Sequence, residues 1–511
     1  MPTPPDSLPD DASALKALLV AAQAENERLI AIIKELQRYR FGPRSEKIDP
    51  GQLALMLEDV EQAIAASAAQ AESQTEDQPA KTPVPRKRQV NRGALPKHLP
   101  REDVVVDIAD KSCPCCNGLR VKIGEDVSER LDMIPARFKV IVTHRPKYAC
   151  RVCEGEMAQA PAPEHLIEGG IPTENLIAAV VIAKYADHLP LYRQAQIYGR
   201  QGVELDRSTL ADWSGRAAFA LRLVHELLLQ VLKASVKLAD ETRAPVLDPG
   251  RRKTKTGQLW AYARDDRPWG GPEPPGVAYV YEPDRKHERP VAHLAGFAGI
   301  LQVDGYGAYK ALAEGGPVAL AFCWAHVRRK FFEIQASTPA PIAAEALARI
   351  GALYAIERDI RGLAAPTRQA VRQAQAKPIL DAMKPWLGAK LAAVSGKSTI
   401  ADAIRYALSR WAGLTRYLDD GRIEIDNNVV ERAMRPIALG RKNHLFAGSD
   451  DGGKYWAIHA SLIETAKMND IDPQAYLADI LAKIANRHPV SKLDEPLPWA
   501  YVNTNAGQQV A

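Results

Sequence analysis

The sequence predicts a multidomain α+β protein, and three observations carry that prediction. Apolar residues recur every seven positions over residues 13–38. Two Cys-x-x-Cys pairs fall within residues 104–160. Short apolar strands with turn signals fill 236–326, and Ala/Leu-rich helical stretches flank them. A chain of 511 residues holds three or four domains. With 46% apolar and 25% charged residues it has the balance of a globular protein, not of a disordered or fibrous one. No run of 18 apolar residues appears, so no membrane-spanning helix is expected. The opening MPTPPDSLPDDAS lacks the basic-then-apolar order of an export signal, which makes a cytoplasmic location the expectation. A net charge of +5 permits nucleic-acid binding without requiring it.

The first element is a helix over 13–38. Leu15, Ala22, Leu29 and Leu36 make one row of a seam, and Leu19, Asn26 and Ile33 make the other. A zipper-like homodimer through 13–45 is the reading. Packing of one amphipathic helix on its own chain is the alternative, because three heptads are short. The basic, aromatic segment RYRFGPRSEK follows at 38–47. Residues 66–100 read as a linker, first Ala/Gln/Glu-rich and then basic and Pro-rich in PVPRKRQVNRG.

Residues 104–160 hold the cysteine pairs, Cys113 with Cys116 and Cys150 with Cys153. Each pair lets two thiolates grip one metal from a tight turn, and two pairs complete a tetrahedral Zn²⁺ site. The 33 residues between the pairs exceed a compact ribbon, so the insert is expected to carry strands of its own. Redox or incidental cysteines are the alternative. Cys115 reads as a bystander, and Cys323, ending an apolar strand, as a small core residue.

Residues 171–235 are expected to be helical. Within them, helices near 191–200 and from about 206 flank a turn containing Gly202, the outline of a helix-turn-helix. Asp206 or Ser208 would cap the second helix, and Arg207, Ser208 and Thr209 would face a DNA groove. Helical hairpins are common in α-rich regions, so the outline alone does not decide the matter.

The strand VKLAD, 236–240, is expected to end at Asp240, and the strand at 300–303 to end at Asp304. Two carboxylates at the ends of neighbouring strands suit a hard cation such as Mg²⁺. A third acid, Glu431, starts a helix, with Arg435 one turn later and Arg441 and Lys442 beyond. Acids at such places are common, and three are easily drawn from 62.

At this point longer strings come into view: DETRAPVLDPGRRKTKTGQLWAYARDDRPWGG, LQVDGYGAYKAL, CWAHVRRKFFEI, DNNVVERAMRPIALGRKNHLFAGS, FGPRSEK and SLIETAKMNDIDPQAYL, together with the two cysteine pairs. They resemble transposases of the insertion-sequence 66 family, in order, from about residue 13 to 487. The resemblance implies a zipper-like helix, a zinc-binding segment, a ribonuclease-H-like DDE catalytic domain and a C-terminal helical domain. It implies a catalytic domain over 236–450 with a helical insertion at about 327–420, and closing helices over 454–487. It carries the catalytic roles to Asp240, Asp304 and Glu431, which would hold Mg²⁺ or Mn²⁺ for DNA cleavage and strand transfer. It also places a C-x-x-H spacing at Cys323 and His326, with His326 either touching DNA or packed beside Trp324. DNA and accessory proteins of the same bacterial element are the implied partners. The competing readings are a ribonuclease-H-like nuclease that cuts without joining, and a zinc-stabilised DNA-binding protein without catalysis.

Overall fold

The computed structural model describes residues 137–148, 158–233, 237–248, 253–314, 316–337, 340–492 and 494–501. The expected zipper helix, the linker and the four paired cysteines lie outside these residues. Of the segment at 104–160, the described part includes a two-residue antiparallel pair, Lys147–Tyr148 with Ala158–Gln159.

The centre is a five-stranded mixed sheet. Strands β1 (Lys237–Asp248), β2 (Lys253–Arg264) and β3 (Gly276–Glu282) form an antiparallel meander. Strands β4 (Gly299–Val303) and β5 (Val318–Phe322) run parallel to β1, giving the order β3-β2-β1-β4-β5. Side chains alternate across the sheet. Leu259, Ala261 and Ala263 enter one core, while Trp260 and Tyr262 join Leu301 and Val303 in another on the opposite face. The sequence expectation for β1 needs correction. The strand does not stop at Asp240 but continues eight residues, because its whole length pairs with β2 from Leu238↔Ala263 to Asp248↔Lys253.

Helices α1 (Glu174–Tyr185), α2 (Leu191–Gly199) and α3 (Arg207–Leu232) cover the first face. On α3, Leu210, Trp213, Ala217, Leu221, Val224 and Leu228 are buried at helical spacing, so the helix exists by burying one stripe. Asp206 holds its N-cap position without a capping hydrogen bond, and Ser208 lies inside the helix, so neither side chain caps it as expected.

Strand β3 is a sheet edge, and its open hydrogen-bonding groups need cover. Helix α10 (Asp450–Met468; α4–α9 follow below) supplies it. Ser461 Oγ accepts from the Tyr279 N–H at 2.8 Å, and Thr465 Oγ1 accepts from the Val277 N–H at 3.1 Å. Helix α11 (Pro473–Ala485) follows, capped by Asp472.

Between β5 and the last long helices lies a helical insertion with its own core. It comprises α4 (Trp324–Ser337), α5 (Pro341–Asp359), α6 (Ala365–Val371), α7 (Lys377–Ala393) and α8 (Thr399–Ser409). A π-helical turn, Arg372–Ala376, joins α6 to α7. Two fully buried arginines, Arg368 and Arg372, converge on Glu357. Arg372 forms a two-pronged pair, both bonds 2.7 Å, and Arg368 also bridges to Glu424 at 2.5 Å. Helix α9 (Asn428–His444) then returns the chain to the sheet.

Deleting one member of such a network strands buried charge, which costs about 3–5 kcal/mol. Glu357→Leu is therefore expected to lower the urea midpoint markedly, and an unchanged midpoint would show that the network contributes nothing net.

Candidate active site

The site is set by strand register. Strand β1 pairs with β4 only through Lys237↔Leu301 and Leu238↔Gln302. Counting on from the second pair, Asp240 and Asp304 stand level, two residues beyond it. There β4 has ended, and β1 continues with β2 alone. The sheet parts at this point, and the two acids stand at the mouth of the gap.

Asp304 is followed by Gly305 at φ +97, where a side chain would be strained. An added Cβ would also come within 2.6 Å of Arg410 Nε. The turn lets the Tyr306 N–H donate to Asp304 Oδ1 at 2.7 Å, and Tyr406 OH donates to the Asp304 carbonyl at 3.0 Å. The Glu241 N–H likewise donates to Asp240 Oδ1 at 2.8 Å.

Glu431 arrives on the first turn of α9, and both ends of that helix are tied down. Before it, Gln302 Nε2 donates to the Glu424 carbonyl at 2.8 Å and the Trp324 N–H to the Ile425 carbonyl at 3.1 Å. After it, Ala447 forms a bridge with Val246, its N–H bonding the Pro245 carbonyl at 2.9 Å and its carbonyl the Leu247 N–H at 2.8 Å. Arg441 donates to the Arg243 carbonyl at 2.7 Å.

The electrostatics record the convergence. Burial pushes the Asp240 carboxyl well above its usual range, and the charges of Glu241, Asp304 and Glu431 push it further. Burial and Asp304 also raise Glu241, which Arg285 and Tyr309 partly hold down. Arg285 pairs with Glu241 and stacks over Tyr306, 3.8 Å from the ring centre. Asp426 is raised to about 7, chiefly by burial. Glu241, Arg285 and Asp426 were not singled out in the sequence. The doubled acid of DET and the leading acid of DNN were the only visible signs of two of them.

The other expected residues divide. His326 sits on the first turn of α4 with Nδ1 3.6 Å from Glu431 Oε1. Arg435 and Lys442 are half-buried on α9, whereas Arg441 is buried and serves as the tie to β1. Arg207 and Ser208 are exposed and Thr209 half-buried at the start of α3. Cys323 is buried, 2% exposed, at the junction of β5 and α4.

A protein-family model described as "Transposase IS66 family" matches residues 169–455, the span that carries this sheet, its helices and all three acids. The chain belongs to the IS66 transposase family. Three further models match this IS66-family protein elsewhere. They are "zinc-finger binding domain of transposase IS66" at 110–154, "Transposase C of IS166 homeodomain" at 28–104, and "IS66 C-terminal element" at 461–499. The zinc-finger match encloses Cys113, Cys116, Cys150 and Cys153, which supports a structural Zn²⁺. Two proteins of Sinorhizobium fredii, named only as uncharacterised proteins y4jD and y4qI, are 42% and 43% identical to it. Each alignment spans 98% of this chain and 99% of the relative. A third from the same organism, the uncharacterised protein y4hP, is 42% identical over 93% of this chain and 88% of its own. No helix among the described residues is long and apolar enough to cross a membrane.

An acid whose folded pKa is raised binds its proton more tightly folded than unfolded. Its ionisation therefore weakens the fold as pH rises above the ordinary value of 3.8. In metal-free buffer at pH 8, Asp240→Asn is expected to melt above the wild type, with the gap closing toward pH 4. A variant that melts lower at pH 8 would contradict this electrostatic account.

Proposed function

We propose that this IS66-family protein binds the inverted-repeat ends of its insertion sequence and cleaves and joins DNA in a metal-dependent reaction. The observation that carries the reading is the crowding of Asp240, Asp304 and Glu431, each buried or half-buried, at the point where the sheet parts. The strand order β3-β2-β1-β4-β5, three antiparallel strands and then two parallel ones, supports taking the core as ribonuclease-H-like.

The acids fit a pair of hard cations, Mg²⁺ or Mn²⁺. The donor set is all oxygen, the mutual repulsion at Asp240 calls for positive charge, and Glu431 Oε1 is buried without a hydrogen-bond partner. Such cations activate an attacking oxygen and stabilise a leaving one in phosphoryl transfer. The protein's own part is positioning. The N–H groups of Glu241 and Tyr306 fix the rotation of two carboxylates, and the tied ends of α9 fix the backbone position of the third acid. Water, and later the freed 3′-hydroxyl, attacks phosphorus in line without a covalent link to the protein.

Arg207, Ser208 and Thr209 would approach a DNA groove, with Arg435, Lys442 and His326 nearer the cleaved strand. The helix over 13–45 would pair two copies, and zinc on the four cysteines would hold the segment between. Accessory proteins of the element would be its partners on the same reading.

Asp304→Asn and Glu431→Gln are each expected to reduce Mg²⁺-dependent cleavage by roughly 10²–10³-fold or more, because electrostatic stabilisation of this kind dominates such reactions. Binding to an end duplex should persist in gel-shift assays. Cleavage at the wild-type rate by either variant would refute the assignment, and cleavage without joined products would favour a nuclease. Arg207→Ala should weaken end binding and lower its salt slope by about one unit if Arg207 contacts a phosphate, and should leave the slope unchanged if it does not.

A further inference from the structure

A second set of ligands lies beside the proposed catalytic acids. The turn from β5 into α4 sets Cys323 and His326 three positions apart, and the start of α9 brings Glu431 against them. One ligand atom from each lies within 4.8 Å of the other two. His326 Nδ1 and Glu431 Oε1 are both buried and both lack a hydrogen-bond partner. Their separation of 3.6 Å is too long for a good hydrogen bond. It is close to the roughly 3.3–3.4 Å between two ligands of one tetrahedral Zn²⁺ with bonds of about 2.0–2.1 Å.

We infer that Cys323, His326 and Glu431 bind one borderline-soft divalent cation, of which Zn²⁺ is the best fit, at a site distinct from the four paired cysteines. A sulfur, an imidazole and a carboxylate form a donor set that zinc accepts and Mg²⁺ does not favour. Three protein ligands leave a fourth position for water. The backbone amides of Asn427 and His326 act on the Cys323 sulfur in the direction that favours a thiolate. Without a cation, burial and the charges of Glu431 and Asp426 keep the thiol protonated. Binding therefore releases one proton from Cys323. Arg329 faces Glu431 from the same helix as His326 and offsets part of the negative charge.

The site shares Glu431 with the reaction proposed above, so occupancy by zinc withdraws that carboxylate and switches activity off. This consequence rests on the catalytic reading, whereas the binding itself does not. The test uses the full chain with its structural zinc in place. Equilibrium dialysis against Zn²⁺ is followed by metal analysis, with Co²⁺ as an optical probe of thiolate coordination. Wild type should take up one ion per chain more than Cys323→Ser and His326→Gln, whose affinity for that ion falls by roughly tenfold or more. Its thiolate-to-cobalt absorption should exceed theirs. Equal uptake and equal absorption in all three folded proteins would overturn the site. In the activity arm, Zn²⁺ should suppress Mg²⁺-dependent cleavage by wild type. Cys323→Ser should require roughly tenfold more Zn²⁺ to lose the same fraction of its own rate. Equal sensitivity would overturn the shared-ligand switch. A wild type that binds the extra ion but never cleaves would instead refute the catalytic reading and leave the metal site standing.

Discussion

Three carboxylates that repel one another must be held together, and most of the described architecture bears on that constraint. Charge in a partly buried space is unfavourable, so the acids stay close only because the backbone gives them no alternative. The register of β1 on β4 sets Asp240 level with Asp304. Gly305 turns the chain away at once, which no other residue would do without strain and a clash with Arg410. Helix α9 is tied before and after Glu431 by backbone and side-chain hydrogen bonds, so it cannot swing to relieve the repulsion. Cores on both faces of the sheet reach the residues next to the acids, Ala239 and Val303 on one side and Val430 on the other, so apolar burial there opposes the repulsion.

Much of this frame was legible in the sequence, and the reasons for the failures are physical. GILQV is apolar apart from Gln302 because β4 is covered on both faces and flanked by two strands, so its end at Asp304 could be read directly. The end of β1 could not. Beyond Asp240 the strand leaves β4 and pairs with β2 alone, apart from one bridge at Val246, so ETRAPVLD need not be apolar and does not look like a strand. Glu431 could be picked out as an acid at a helix start beside Arg435, but only the family resemblance raised it above the other acids among the 62. Its meeting with the strands depends on a fold-back across 127 positions from Asp304, which periodicity does not encode. Arg441 illustrates another limit. Basic residues beside an acid read as phosphate contacts, but only coordinates reveal that this one is buried on the carbonyl of Arg243.

The insertion solves a different problem by different means. Its helices share an apolar core, yet Arg368, Arg372, Glu357 and Glu424 lock α5, α6 and the approach to α9 through buried charge. Such networks add little net stability over well-packed apolar groups, but they penalise every misaligned arrangement. Glu424 lies seven residues before Glu431 and also offers its carbonyl to Gln302 on β4. The network therefore joins the insertion to the strand that carries Asp304.

The order of the acids along the chain has a consequence for the gene as much as for the protein. Synthesis delivers Asp240 and Asp304 first, and Glu431 only after the whole insertion has been made. Helix α10, which seals the sheet edge at β3, comes later still. A chain that ends between Asp304 and Glu431 lacks both the third acid and the helix that covers β3. Any frameshift or stop codon upstream of Glu431 therefore yields a product in which the three acids cannot meet.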